Sequence, residues 1–265
     1  MDLNMYTEEM AKSAWDKSFF MDKILGAKCV VDFGCADASM ICMLGKIFPS
    51  VHFFGYDNNE QLLDMARENI ANASENVHAV YGVNDLDAMI ARIKRTFKSH
   101  EICLNFSSVL HEVFSNTGGL GVIEKLVFEL KPKYITIRDM YYHHDSFYDE
   151  YEELSTLQRV YVLSMCSNCK PGCHNQYVNK FGNINTMKSL VHFLMKYQWR
   201  DNDYEQELKE DYFSWQIDDV QKLVKNYSVI FETHYMLPYY VEKWKEYGIS
   251  SKVHTHAQFI LRRND

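Results

Sequence analysis

The stretch VVDFGCADAS, residues 30–39, indicates the fold of the whole chain. It begins with an apolar run, continues with Asp32 and reaches Gly34, a pattern typical of a buried strand that ends in a ligand-binding turn. A dinucleotide-binding turn would carry further glycines, but this one carries Ala36 and Ala38. The stretch therefore predicts a cofactor site at a strand end of an α/β sheet, and its alanines restrict which cofactor fits.

Short β-branched and aromatic runs alternate with amphipathic helical segments between residues 28 and 140. The helical segments place apolar residues three or four positions apart, as at Leu62, Leu63, Ala66 and Ile70. This alternation predicts a parallel sheet with right-handed crossovers. The predicted strands are 29–33, 52–56, 76–81, 102–107 and 134–138, and the predicted helices are 7–25, 59–72, 86–97 and 120–130.

The alternation stops after Met140. Residues 141–215 have helical spacing and no clear strand, which predicts a helical cap inserted after the fifth strand. Strands resume at 228–234 and 255–261, with a proline-started helix at 238–247 between them. We therefore expect a core at 1–140, a cap at 141–215, and a last helix with strands six and seven at 216–265.

The second predicted strand ends in FFGYDNN, which places Asp57 23 residues after Gly34. An acid at that distance can accept hydrogen bonds from both hydroxyls of an adenosine ribose. Methyl groups at positions 36 and 38 and the negative charge of Asp37 oppose a pyrophosphate, which needs close backbone approach. S-adenosylmethionine has no phosphate, and an acid near the loop can receive the ammonium of its methionyl part.

Three segments, VVDFGCADAS, FFGYDNN and YGVNDLDA, resemble the first three cofactor motifs of class I S-adenosylmethionine-dependent methyltransferases. The usual first motif reads hydrophobic, acid, hydrophobic, Gly-x-Gly-x-Gly, and this chain departs from it at Ala36 and Ala38. The resemblance covers about residues 25–140, and the last two strands more weakly. It implies a Rossmann-like, mostly parallel seven-stranded sheet of order 3-2-1-4-5-7-6 with strand 7 antiparallel.

The resemblance also implies roles for individual residues around the cofactor. Gly34 and Ala36 would approach the methionyl part, Asp32 would support the loop, and Asp57 would bind the ribose. The adenine amino group would contact Asp85 or Asn84. The remaining members of the implied cofactor site are Asp37, Asn58 beside the adenine, Leu86 against its ring, and Phe106.

The fourth predicted strand leads into LNFSSVLHEVFS, which carries the candidates for catalysis. Methyl transfer needs a base only if the acceptor must lose a proton, and His111 could be that base. Glu112 could instead bind a cationic acceptor, and the plainer alternative is a histidine that only packs at a helix start. The segment has no Pro-Pro run and the chain has no Pro-Cys pair, which opposes amino-directed and cytosine-C5 DNA methylation.

Further substrate-binding candidates lie at the ends of the fourth and fifth predicted strands. They are Ser108, Arg138, Tyr141 and Tyr142. Arg138 could bind the acceptor or pair with the adjacent Asp139. The tyrosines, with His143 and His144, could line a cleft roof or only pack.

The segment CSNCKPGCH contains Cys166, Cys169, Cys173 and His174. These are zinc-ligand types, but Cys173 and His174 are adjacent, which strains a tetrahedral site, and no second CxxC pair supports one. We therefore expect reduced thiols and no metal. The odd count of seven cysteines, the absence of an apolar run of about 20 residues and an N-terminus without a signal pattern favour a cytoplasmic protein.

The charge balance bears on the partner. The chain has 28 Lys plus Arg against 36 Asp plus Glu, a net charge of −8. The basic run RIKRTFK at 92–98 is either a solvated helix face or a nucleic-acid contact, but the stretches 141–160 and 201–211 are strongly acidic and would repel a polyanion. A small-molecule acceptor is therefore the expected partner, RNA is the alternative acceptor, and a non-catalytic cofactor-binding or partner-docking module is the alternative class. The oligomeric state is left open.

Overall fold

The structure is a computed structural model and describes residues 13–116, 118–144, 153–168, 172–201, 204–245, 248–249 and 252–264, without the side chains of residues 144 and 166–168. Its central feature is a seven-stranded sheet of order β3-β2-β1-β4-β5-β7-β6, with β7 antiparallel. This order confirms the predicted fold class. The strands are β1 (Cys29–Phe33), β2 (His52–Tyr56), β3 (Val77–Tyr81), β4 (Ile102–Ser107), β5 (Tyr134–His144), β6 (Tyr227–Tyr235) and β7 (Val253–Arg263).

The central strands β1 and β4 pair in parallel, and every residue of both is buried. Burial on both faces explains why they appear in the sequence as nearly continuous apolar runs. Their register places Asp32 beside Asn105 and Phe33 beside Phe106. Residues from sequence-distant segments therefore meet at one end of the sheet.

Helices connect and flank the strands. In the described residues the α-helices are α1 (Ala14–Lys17), α2 (Ser39–Ile47), α3 (Glu60–Ala71), α4 (Leu86–Thr96), α5 (Leu110–Asn116), α6 (Leu120–Leu130), α7 (Thr156–Asn168), α8 (Cys173–Phe181), α9 (Met187–Tyr197), α10 (Tyr204–Glu207), α11 (Ile217–Leu223) and α12 (Pro238–Trp244). No helix in the described ranges is long and apolar enough to cross a membrane.

Two predicted elements differ strongly from the structure. The N-terminal helix predicted at 7–25 is only α1 within the described residues, because i→i+3 bonds such as Met21 N–H to Ser18 O replace helical bonds after it. Strand β5 continues to His144 instead of ending at Arg138. The run of tyrosine and histidine after Met140 suits a half-buried pleated surface, and its lack of alternation hid the strand from the pattern. The part of the prediction at 7–12 lies outside the described residues.

The chain divides into two compact units. The larger unit comprises 2–139, 217–232 and 258–265, and the smaller unit comprises 140–216 and 233–257. The larger unit has a core in which Phe20, Val30 and Ile41 are buried together. The smaller unit has a core that includes Tyr177, Val191 and Phe193.

Candidate functional site

The loop after β1 has an unusual backbone. Gly34, Ala36 and Ala38 have φ values of 77°, 48° and 63°, in the left-handed region that favours glycine. A Cβ atom on Gly34 would lie 2.7 Å from Cγ2 of Val109, so this position has no room for a side chain. The two alanines therefore adopt backbone conformations that favour glycine, at the positions where the usual motif has glycine.

Asp57 joins the end of β2 to this loop. Its Oδ2 accepts the Ala36 N–H at 2.8 Å and its Oδ1 accepts the Asn59 N–H at 2.9 Å. The side chain is 8% exposed. Burial raises the pKa of Asp57, whereas the backbone hydrogen bonds lower it. The carboxylate therefore lies against the loop, at the strand end where a ribose is expected.

Asp37 lies just before α2 and bonds to Ser39, the first residue of that helix. It accepts hydrogen bonds from the backbone N–H (3.1 Å) and the hydroxyl of Ser39, and Asn69 Nδ2 donates to its backbone oxygen at 2.9 Å. Both oxygens of the carboxylate therefore have a partner within the loop. The predicted contact with an ammonium group stays a prediction.

Asp32 is buried in the sheet below the loop. Asn105 Nδ2 donates to its Oδ1 at 2.7 Å, and Thr136 Oγ1 donates to Oδ1 of Asn105 at 2.8 Å. Burial raises the pKa of Asp32 to about 7, against the opposing effects of Asn105 and of the Lys17 ammonium. Lys17 is itself buried, and burial lowers its pKa to about 8. No sequence pattern pointed to Lys17, because its place depends on how the N-terminal segment packs.

The other predicted cofactor residues divide by exposure. Asn58, Asn84 and Asp85 are exposed, the last two in the turn before α4. Leu86 and Phe106 are buried, and the Phe106 ring lies 5.4 Å from that of Phe33. The exposed three can therefore be reached from solvent, whereas Phe106 belongs to an aromatic cluster at the strand ends.

His111 and Asp139 form a buried pair. His111 Nδ1 lies 2.7 Å from Asp139 Oδ1, and the two side chains are 3% and 0% exposed. The other oxygen, Oδ2, accepts the backbone N–H groups of Val109, Leu110 and His111 at 3.0, 2.6 and 3.2 Å. These four contacts fix the carboxylate, which holds the imidazole by one nitrogen and the start of α5 by its backbone.

Arg138 pairs with a residue far away in the sequence. Its Nε donates to Asp16 Oδ2 at 2.6 Å, and its Nη1 donates to Ser108 Oγ at 2.8 Å. Arg138 and Asp139 therefore each bond to a different part of the site. Glu112 is half-buried in the first turn of α5.

Tyr141 and Tyr142 lie on β5 in the smaller unit, and both are buried. Tyr141 packs edge-on against Trp215 at 5.1 Å, and Tyr142 packs against Phe213 at 5.5 Å. These contacts favour the packing alternative that the sequence left open for both residues. Their predicted contact with an acceptor stays a prediction.

The cysteine-rich segment is only partly described. Cys173 is buried at the start of α8. Cys169 and the side chain of Cys166 lie outside the described residues.

No family model and no curated protein sequence matches the chain. Solved structures do match it. The methyltransferase domain of bacterial CtHen1-C matches with a TM-score of 0.50 at 12% identity, covering 96% of this chain and 97% of that one. The mitomycin 7-O-methyltransferase MmcR also matches at 0.50, with 11% identity, and the match covers 96% of this chain but 54% of that one.

An O-methyltransferase family protein from Burkholderia thailandensis matches at 0.50 with 11% identity, over 99% of this chain and 60% of that one. This chain thus matches little more than half the length of the two O-methyltransferases. At such low identity these matches concern the fold. Together with the strand order, they show that the chain has the fold of class I S-adenosylmethionine-dependent methyltransferases.

Proposed function

We propose that this chain is an S-adenosylmethionine-dependent methyltransferase that methylates a hydroxyl group of a small or modest-sized molecule. The observation that carries the proposal is the His111–Asp139 pair next to the first loop. The pair and the loop are neighbours because Val109, whose N–H donates to Asp139, is also the residue that a side chain at Gly34 would strike. A proton acceptor thus lies near the loop at which the resemblance puts the methionyl part of the cofactor.

The loop residues fit this cofactor. Glycine and alanine at the three positive-φ positions keep side-chain bulk small, and the lone pairs of Asp57 that the loop does not use would accept ribose hydroxyls. The negative charge of Asp37 opposes a pyrophosphate but not a zwitterion. Asn58, Asn84 and Asp85, all exposed, with Leu86, would surround the adenine. When bound, the cofactor supplies a sulfonium-activated methyl group.

His111 would act as the general base. Asp139 accepts from Nδ1, so that Nε2 is the nitrogen that can take the hydroxyl proton. Three backbone N–H groups stabilise the ionised form of Asp139, which can then stabilise the imidazolium that forms. A hydroxyl acceptor suits this arrangement, because it must lose a proton whereas a neutral amine can attack without a base.

The first experiment tests the cofactor. Melting temperature is measured with adenosylmethionine and with adenosylhomocysteine, for the wild type, Asp57→Ala and the control Asp64→Ala, whose exposed carboxylate pairs with Arg67. Ligand at 100 times its dissociation constant stabilises by about 2.7 kcal/mol. We expect a shift for the wild type and the control and a much smaller one for Asp57→Ala. No shift in the wild type would refute cofactor binding.

The second experiment tests the reaction. Adenosylhomocysteine release is measured with panels of small phenols, alcohols, amines and an RNA pool, using the wild type and His111→Gln. We expect turnover with a hydroxyl compound that His111→Gln lowers by about 100-fold or more without loss of cofactor affinity. Turnover with RNA alone would replace the small acceptor, and cofactor binding without turnover on any panel would favour a binding module.

A further inference from the structure

A chain of hydrogen bonds leads from the N-terminal segment to the turn that carries His111. Asp16, in α1, accepts from Arg138 Nε at 2.6 Å and from Nη2 at 2.5 Å. Arg138 in turn donates through Nη1 to Ser108 Oγ at 2.8 Å. Asp16 and Arg138 are 122 positions apart in the sequence, so only the tertiary fold brings these two groups together.

The turn at 108–111 is held from β5 at several points. Ser108 has a φ of 56°, in a region that non-glycine residues seldom occupy, and its N–H donates to the Arg138 carbonyl at 2.7 Å. The next three N–H groups donate to Asp139. A strained conformation persists where the surrounding contacts over-determine it, and these contacts come from residues 138 and 139.

The guanidinium of Arg138 needs a balancing charge. Arg138 is 3% exposed, and Lys17, a second buried cation, is close enough for Arg138 to lower its pKa. Asp16 provides the carboxylate, and Gln258 Nε2 holds that carboxylate from β7 at 2.9 Å. Removal of the Asp16 charge would take away the carboxylate that the buried guanidinium contacts directly, while the Lys17 ammonium would still repel it, which favours movement of the guanidinium away from Ser108.

We propose that Asp16 is a positioning residue for His111: through Arg138 it fixes the Ser108 turn and thereby the orientation of the imidazole against Asp139. The inference rests on the proposed function, because it assigns a purpose to the orientation of His111. Asp16 acts without touching the reacting atoms. The effect of Asp16 should therefore appear in the tautomer of the His111 ring.

The test follows the ring nitrogens of His111 by NMR in the full chain labelled with 15N-histidine, with assignment from His111→Gln. The variants are Asp16→Asn, Arg138→Met, Asp139→Asn, the conservative Asp16→Glu, and the control Asp22→Asn, which removes an exposed acid of the same segment that pairs with Lys23. Adenosylmethionine affinity is measured by calorimetry for each.

We expect the wild type and Asp22→Asn to show one tautomer with the proton on Nδ1. Asp16→Asn and Arg138→Met should lose this pattern and show averaged nitrogen signals, and Asp16→Glu should restore it at least in part. If Asp16→Asn does not fold, the double variant Asp16→Asn/Arg138→Met, which removes both charges, should show the same averaged signals.

An unchanged His111 pattern in Asp16→Asn and in the double variant, with a changed pattern in Asp139→Asn, would overturn the positioning role and leave the base intact. An unchanged pattern in Asp139→Asn as well would overturn the His111–Asp139 pair itself, and with it the base of the proposed function. Failure of the wild type to bind adenosylmethionine, with the histidine results as expected, would refute the proposed cofactor while the coupling of Asp16 to His111 stands.

Discussion

Non-glycine residues with positive backbone φ angles lie mostly around the candidate site. In the described part of the chain the non-glycine residues with positive φ are Ala36, Ala38, Ser108 and Lys131. The first three lie in the two turns that meet at Gly34 and Val109. Such conformations are unfavourable for side chains with a Cβ, and they persist where the surroundings enforce them, often at functional sites. Strain in these turns is consistent with a binding site at this end of the sheet.

Gly34 allows a controlled test of this packing. Gly34 and Gly26 have nearly equal φ, 77° and 80°, but a Cβ would strike Val109 at 2.7 Å only at Gly34, while Gly26 has nothing within 4 Å. Gly26→Ala should cost about 1–2 kcal/mol from the backbone alone. Gly34→Ala should cost about 1–3 kcal/mol more and weaken adenosylmethionine binding. Urea unfolding and calorimetry measure both, and equal losses for the two variants would show that the Val109 contact is unimportant.

At the scale of elements, the carboxylate of Asp139 in β5 holds the start of α5. Asp139 takes the position of a capping residue although it belongs to another element, 28 positions away from His111. By contrast, α3 is capped locally by Asn59, whose Oδ1 accepts from the N–H groups of Gln61 and Leu62. Periodicity and local capping could therefore locate α3, whereas the contact of α5 with β5 required the sheet.

The two caps should differ in energetic weight. Asn59→Ala should lower the free energy of unfolding by about 1 kcal/mol, since Asn59 is partly exposed and water can replace the cap. Asp139→Ala should cost about 3 kcal/mol or more, because a buried histidine and three buried N–H groups lose their acceptor. Denaturant titration measures both. A loss for Asp139→Ala no larger than that for Asn59→Ala would contradict this ranking.

At the scale of the whole molecule, the larger unit buries charged groups although the chain as a whole has ordinary polarity. Lys17, Asp32, Arg138 and Asp139 are each below a tenth exposed. They arise from three separate segments and oppose one another in sign. Buried charges of this kind contribute little net stability but make it depend on pH.

Asp32 should therefore give the global stability a recognisable pH dependence. In the folded chain the carboxyl of Asp32 keeps its proton up to about pH 7, whereas in the unfolded chain it loses the proton near its usual pKa of 3.8. Between these values the unfolded state binds fewer protons, so the contribution of Asp32 to stability falls as pH rises. The free energy of unfolding of the wild type minus that of Asp32→Asn should fall from pH 4 to 7. Asp64→Asn, an exposed control, should show no such trend, and a flat difference for Asp32→Asn would contradict the buried carboxyl.

The amino-acid sequence alone determined the strand positions from 29 to 107 and, through the family resemblance, the order of the sheet. Those features depend on local patterns: apolar runs, helical periodicity and turn residues. The end of β5 and the extent of α1 could not be found this way, because the residues after Met140 lack alternation and i→i+3 bonds replace helical bonds after Lys17.

Only the tertiary structure decided how the polar residues pair. The sequence placed Arg138 beside Asp139 and left open whether they pair, but the two side chains point to different partners, Asp16 and His111. Successive side chains of a strand point to opposite faces of the sheet. Arg138 and Asp139 therefore find their partners on different faces, in segments far away in the sequence. The sequence thus predicted a cofactor site at the end of β1, and the three-dimensional packing determined which histidine pairs with the Asp139 carboxylate.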